Sequence, residues 1–345
     1  MSSLAKAIET GDLTQLPSRR DEDWRWTDLR GLLREMPKRG ASAEAPADGP
    51  FAALGGDIWL FVDGLGPDGH GDAACASDDV IQLRFVSTAP GAVHARQGLL
   101  IEPGFKVVLL ESYEARADHA VSSVDLKFYV AEGASLERVV LAVDRDDSVT
   151  VSIAEVTLAP NAHYAQTILT SGARRQRIET RVSHPGQGAS VRLDGAYLLH
   201  EQRHADTTSV VTHSGLGGVT SQLTKGVVDG QARGVFQGRI VVERGADQTD
   251  ARMGHHALIL SDKAEIDAKP ELLIFADDVQ CAHGNTIGAL DENALFYAQQ
   301  RGMPFETARA MLTQAFVGEV VDRIEHEGAR EIAAAWVAEQ LGRCE

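Results

Sequence analysis

The chain is 345 residues long, with 43% apolar and 24% charged residues and 33 glycines, which fits an ordered, turn-rich protein rather than a disordered or small stapled one. Fifty acidic against 33 basic residues leave a net charge of −17, which repels a phosphate backbone and an anionic membrane surface alike and argues against both partners. Cys75, Cys281 and Cys344 are widely spaced and form neither a CxxC metal motif nor a disulfide framework, so a reducing compartment is expected. Residues 1–16 are polar, and no run of ~18 apolar residues exists to span a bilayer, so the expected location is the cytoplasm.

From Ser2 to about Arg39, Leu4, Ala7 and Ile8, then Leu29, Leu32 and Leu33, recur at helical spacing with breaks at Pro17 and Pro37, predicting two short helices. Gly40 to Pro50 is small, Pro-containing and non-periodic, which predicts a linker. Between about Asp57 and Asp278, short runs of Val, Ile, Thr and Leu are punctuated by Gly, Pro, Asn and Asp, the texture of strands. Turn-like cues followed by alanine recur at Gly133-Ala134, Asn161-Ala162, Gly188-Ala189 and Gly245-Ala246, the alanines being 28, 27 and 57 residues apart. A period near 28 with one unit skipped suits stacked coils of a β-helix, each coil covering the apolar face of the next; a β-sandwich with regular hairpins is the alternative. After Asp291 the pattern turns helical: Pro304 suits a first helical turn, and Phe305, Ala308, Leu312, Ala315, Phe316, Val320 and Ile324 form one stripe. An Ala-rich stretch from Arg330 to Leu341 predicts a last helix. The domains expected are residues 1–50 (helical segment and linker), 51–288 (β-rich) and 289–345 (helical).

Two motifs resemble enzyme sites. His200-Glu201-Gln202-Arg203-His204 spells HExxH, which binds zinc when a helix brings both histidines to one face. The flanking β-branched run Thr207 to Thr212 opposes a helix, and on a strand the two histidines stand about 13 Å apart, so polar side chains on a sheet are expected instead. Gly64 to Gly69 fits GxGxxG after an apparent strand, but the small, acidic segment that follows has no amphipathic stripe, so a plain turn is expected. No lysine follows a glycine anywhere, so a GK[ST] phosphate loop is missing and any ATP use must come from a partner.

Cys281 and His283 are the remaining chemical pair. On an extended strand they share a face with Cα atoms about 6.7 Å apart, close enough to approach one metal or one sulfide-bearing group. Two ligands make half a site, and taken alone the pair reads as a buried cysteine beside a hydrogen-bonded histidine. Asp277 and Asp278 disfavour a free thiolate yet attract a cation, so the thiol is expected to deprotonate on metal binding.

The run from Phe236 to Gly302 closely resembles the carboxy-terminal signature of the SufB/SufD family of iron–sulfur cluster assembly proteins. Gln222 to Gly234, the series His204, Asp206, Thr208 and His213, and weakly Arg20 to Thr27 extend the likeness. The Cys-x-His-Gly form at Cys281 to Gly284 is similar to the SufD branch; SufB usually carries an acidic residue and a histidine there and is longer. The resemblance implies a mainly β fold, a right-handed parallel β-helix with N-terminal and C-terminal α-helical segments. It also implies a non-enzymatic scaffold that pairs with SufB through the β-helices and holds a SufC ATPase on its C-terminal helices. Phe305, Leu312, Phe316 and Val320 are the docking candidates, and an isolated chain could pair with itself. By the same resemblance, His283 and Cys281 belong to a nascent-cluster site shared with SufB: an incomplete iron site, with no cofactor bound tightly in isolation and a transient cluster in the complex. The competing readings are a β-helical polysaccharide-active enzyme, opposed by an aromatic content of only 6%, and an HExxH zinc hydrolase.

Overall fold

Short strands separated by turn residues wind into a parallel two-sheet solenoid in the computed structural model, which describes residues 1–67, 72–184 and 186–342. The nine-stranded sheet A runs in the order β1 (Asp57–Val62), β3 (Val80–Ser87), β5 (Lys106–Ala115), β7 (Ser135–Ala142), β9 (His163–Thr170), β11 (Ser190–Leu199), β13 (Val219–Val228), β15 (Thr249–Ile259) and β17 (Val279–Gly288). The eight-stranded sheet B comprises β2 (Ala73–Cys75), β4 (Gly91–Ile101), β6 (Ala120–Val130), β8 (Val149–Leu158), β10 (Arg175–His184), β12 (His204–His213), β14 (Arg233–Val242) and β16 (Glu265–Ile274), with β2 and β16 at its edges. Every ladder between these strands is parallel, which decides for a solenoid and against a hairpin sandwich.

The register carries the repeat. Ser135 pairs with His163 and His163 with Ser190, so each coil lies on the one before. The turns into sheet A open with a residue at positive φ, such as Gly133 (+65°) and Asn161 (+54°), and the next side chain turns inward. Ala134, Ala162, Ala189 and Ala246 are therefore fully buried. Leu109, Leu136, Val140, Tyr164, Ile168 and Leu193 fill the lumen with their sheet B counterparts.

Both outer faces are covered. Sheet A is covered by α3 (Phe305–Val321) and α4 (Glu327–Gly342), with α2 (Glu292–Gln300) packed on α3; Val317, Val320, Val321 and Trp336 of these helices, and Ile324 in the turn between them, cluster with Leu141, Leu198, Leu223 and Val227. Sheet B carries the N-terminal segment, where Leu4, Leu16, Leu29 and Leu33 lie on Val121, Val149 and Val151.

Three expectations need correction. Only one α-helix forms near the N-terminus, α1 (Ser3–Thr10); Leu13–Gln15 and Glu22–Trp24 are single 3-10 turns, and residues 25–36 are turns and bends. Their leucines bury by lying against the wall of sheet B rather than by sharing a helix face. The α3 stripe holds in part: Ala308, Val320 and Ile324 are buried as expected and Val317 and Val321 join them, whereas Leu312 and Phe316 are half-buried and Phe305 and Ala315 are exposed. The HExxH segment lies on neither a helix nor one strand, because it turns the corner from β11 to β12 with Glu201 at φ +57°. Gly64 takes φ +80° in a turn after β1, as expected, while Asp68, Gly69 and Cys344 lie outside the described residues.

Candidate functional site at the open end of the solenoid

The last coil has no coil beyond it among the described residues, so β17 ends sheet A and β16 ends sheet B with one ladder face unpaired. Pairing of Ala251 with Cys281, Met253 with His283 and His255 with Asn285 sets the phase of β17. Ala251, Met253 and His255 are buried, so Cys281, His283 and Asn285 stand on the lumen side of the strand, as strand spacing requires.

Cys281 is half-buried against Phe236, Ile240, Met253 and Leu272. Burial pushes its thiol up, the Ala251 backbone hydrogen bond pulls the other way, and the Asp250 carboxylate adds to the rise. The carboxylate acting on this thiol thus comes from the neighbouring coil, not from Asp277 or Asp278. The His283 side chain is exposed. Below them Met253 fills the lumen; a Cβ on Gly238 would stand 2.1 Å from its Sδ, so that glycine makes room for the thioether.

A buried relay supports the third position. His255 Nδ1 lies 2.7 Å from Asn285 Oδ1, and its Nε2 lies 2.8 Å from the Tyr197 hydroxyl. The imidazole stacks on Phe236 with centroids 4.5 Å apart and planes 3° from parallel. Burial pushes His255 down to about 4, against the pull of Asn285, so the ring is neutral at neutral pH; Nδ1–H donates to Asn285 and Nε2 accepts from Tyr197. Sequence reading missed this relay, whose only signal was His255 two residues from Met253 on a strand otherwise apolar inward.

The other singled-out residues fall elsewhere. His204 is buried, and its Nε2–H donates to the Trp26 carbonyl at 3.0 Å. No set of three or more His, Cys, Asp or Glu side chains placed to hold a metal occurs among the described residues. Phe305 is exposed, Leu312 and Phe316 are half-buried, and Val320 is fully buried in the seam against sheet A. Phe316 lies under the Lys225 ammonium, 4.2 Å from the ring centroid. The apolar surface of the helices consists instead of Phe296, Tyr297, Phe305 and Met311, between 46% and 63% exposed. A cavity of about 320 Å³ on the outer face of sheet B is walled by Arg177, Arg181 and Arg239, which are paired with Glu179 and Glu271, and it lies away from the Cys281 edge.

Residues 85–316 match the family described as SUF system FeS cluster assembly, SufBD core domain. The chain is 27% identical to the iron–sulfur cluster assembly protein SufD of Escherichia coli, over 95% of this chain and 90% of that protein. A SufBD family iron–sulfur cluster assembly protein of Synechocystis is 29% identical over 70% of the chain, which spans 55% of that longer protein. A chloroplastic Arabidopsis protein, ABCI7, is 28% identical over 81% of the chain and 62% of its own length.

Proposed function

Because the chain belongs to the SufBD family of the SUF system for iron–sulfur cluster assembly, we propose that it acts there as a SufD-type scaffold subunit, without catalysis of its own. The observation that carries this reading is the placing of Cys281 and His283 on an edge strand whose far side is unpaired. One thiol and one imidazole supply two of the four ligands that a cluster ordinarily takes, so the cargo cluster needs a second chain on the same edge. An unpaired strand edge is itself a template for a partner's strand. SufB fills that role in this reading, and the isolated chain can use the same edge to pair with itself. The SufC ATPase docks on the exposed aromatic surface of α2 and the start of α3, which includes Phe305; Leu312 and Phe316 lie further along the helix, and Val320 holds the far end of α3 to sheet A. The protein works in the cytoplasm and holds the cluster only transiently; no helix is long and apolar enough to cross a membrane among the described residues.

The test is the iron and sulfide content of anaerobically reconstituted complexes, with subunit stoichiometry measured alongside. His283→Ala is expected to impair cluster formation without separating the subunits. Cys281→Ser is as severe if the thiol is a ligand and milder if it packs. A His283→Ala complex that builds clusters at the wild-type rate and yield removes the role assigned to this edge.

A further inference from the structure

Tyr197 on β11 and His255 on β15 are fully buried and are joined through the lumen by the 2.8 Å hydrogen bond between the phenol and Nε2. The strand between them makes this reach possible. Tyr197 is the register partner of Gly226 on β13, where a Cβ would stand 2.1 Å from the phenol ring, and a Cβ on Gly234 of β14 would stand 2.5 Å from it. Two glycines thus hold open the slot that the ring occupies. Burying a phenol and an imidazole costs more than burying a leucine unless both are hydrogen-bonded, so packing alone does not account for this pair.

The hydrogen bonds run in one direction. The Tyr197 hydroxyl donates to Nε2, the neutral ring keeps its single proton on Nδ1, and Nδ1–H needs an acceptor on Asn285, which is Oδ1 at 2.7 Å. An amide is planar, so with Oδ1 turned inward the Nδ2 group points away from the ring. Asn285 is exposed on the end strand β17, on the same side as Cys281 and His283 and about 6.7 Å along the strand from His283. Its N–H groups therefore face the open edge. An amide neither takes up nor releases a proton near neutral pH, so the chain Tyr197–His255–Asn285 is no proton wire; what it delivers is the orientation of a donor.

We propose that Asn285 is a hydrogen-bond donor to a sulfur of the cargo cluster, with Tyr197 and His255 as positioning residues that hold its amide N–H outward. The inference rests on the reading of the Cys281 and His283 edge given above and adds to it a residue that supplies no ligand to iron. An N–H···S hydrogen bond draws charge from the cluster and favours its reduced, more negative form, so this donor raises the reduction potential. Without the Tyr197 hydroxyl the imidazole can carry its proton on Nε2; the amide then turns over and puts its carbonyl oxygen toward the sulfur.

The test uses the full chain in an anaerobically reconstituted complex with SufB and SufC and compares wild type with Asn285→Ala, Tyr197→Phe and the double variant. The one-electron reduction potential of the cluster is measured, with iron and sulfide content alongside. Asn285→Ala is expected to shift the oxidised-to-reduced ratio about tenfold toward the oxidised form, a potential about 59 mV lower. Tyr197→Phe should lower the potential too, although Tyr197 lies three strands of sheet A in from the edge. The double variant should match Asn285→Ala alone, because Tyr197 acts through the amide. In the isolated chain, nitrogen NMR of isotope-labelled histidine should find His255 protonated at Nδ1. A wild-type potential in Asn285→Ala overturns the donor role. An unshifted Tyr197→Phe, a double variant whose shift is the sum of the two single shifts, or a His255 protonated at Nε2 overturns the positioning. Normal cluster assembly in His283→Ala overturns the edge reading itself, and that result is read from His283 without reference to Asn285.

Discussion

Gly218 lies against the ring of His213: a Cβ on it would stand 2.6 Å from His213 Nδ1 and 2.9 Å from Cε1 of His184. The two histidines are register partners on β10 and β12, fully buried, with ring centroids 4.5 Å apart. The unit that the alanine repeat skips is thus present as Gly217-Gly218, with glycine where its neighbours carry alanine. Gly218→Ala, which would restore the sequence repeat, is expected to destabilise the fold by about 1–3 kcal/mol, because two buried rings must shift. Urea unfolding checks this, and a variant as stable as wild type would show that the rings move freely.

Burial pushes His204 and His213 down to about 3 and His255 down to about 4. The folded values lie below the unfolded value near 6.5, so only the unfolded chain takes up protons as pH falls from 6.5. Stability is complete above pH 6.5 and declines below it, by about 1.4 kcal/mol per pH unit for each histidine. Between pH 7 and pH 5 the urea midpoint should fall steeply, and less steeply in His213→Gln. Identical pH dependence in the two proteins would mean that His213 does not contribute.

The N-terminal segment is held to sheet B by buried charge. Arg177 pairs with Asp206 at 2.8 Å, lies 4.3 Å from the Trp24 ring centroid and donates to the Asp23 carbonyl at 2.7 Å, while Thr27 donates to Asp206. Asp206→Ala leaves Arg177 with Glu179 as its one carboxylate partner and removes the acceptor of Thr27, and should cost about 3 kcal/mol. Limited trypsin digestion should then cut at Arg25 or Arg30 well before the solenoid; protection equal to wild type would refute the anchor.

On the helices, Phe296→Ala and Tyr297→Ala should each weaken ATPase binding by about 2 kcal/mol, the scale of exposed aromatic anchors, without loss of thermal stability. Val320→Asp should instead loosen the helix–sheet seam, because its side chain is fully buried. Titration calorimetry and thermal melts separate the two effects. Unaltered affinity in both aromatic variants would move the docking surface elsewhere.

Short apolar runs and turn residues followed by alanine about 28 positions apart are local facts that suggested stacked coils while leaving a hairpin sandwich open, and the family was legible from the likeness of the run Phe236 to Gly302 rather than from that repeat. The shared face of Cys281 and His283 was equally legible, because strand alternation depends on nothing beyond the strand. Other features depended on contacts between distant parts of the chain. HExxH became a corner because sheet A ends at Leu199 and sheet B resumes at His204. Residues 25–36 gave up their helical spacing because the wall of sheet B buries Leu29 and Leu33 without a helix. The phase of α3, the His255 relay and the contact of Arg323 with Asp194 pair residues 30 to 130 positions apart. Helical periodicity says that a stripe is apolar, but which edge of it meets the sheet is set by the angle at which the helix is docked, and only the tertiary structure fixes that angle.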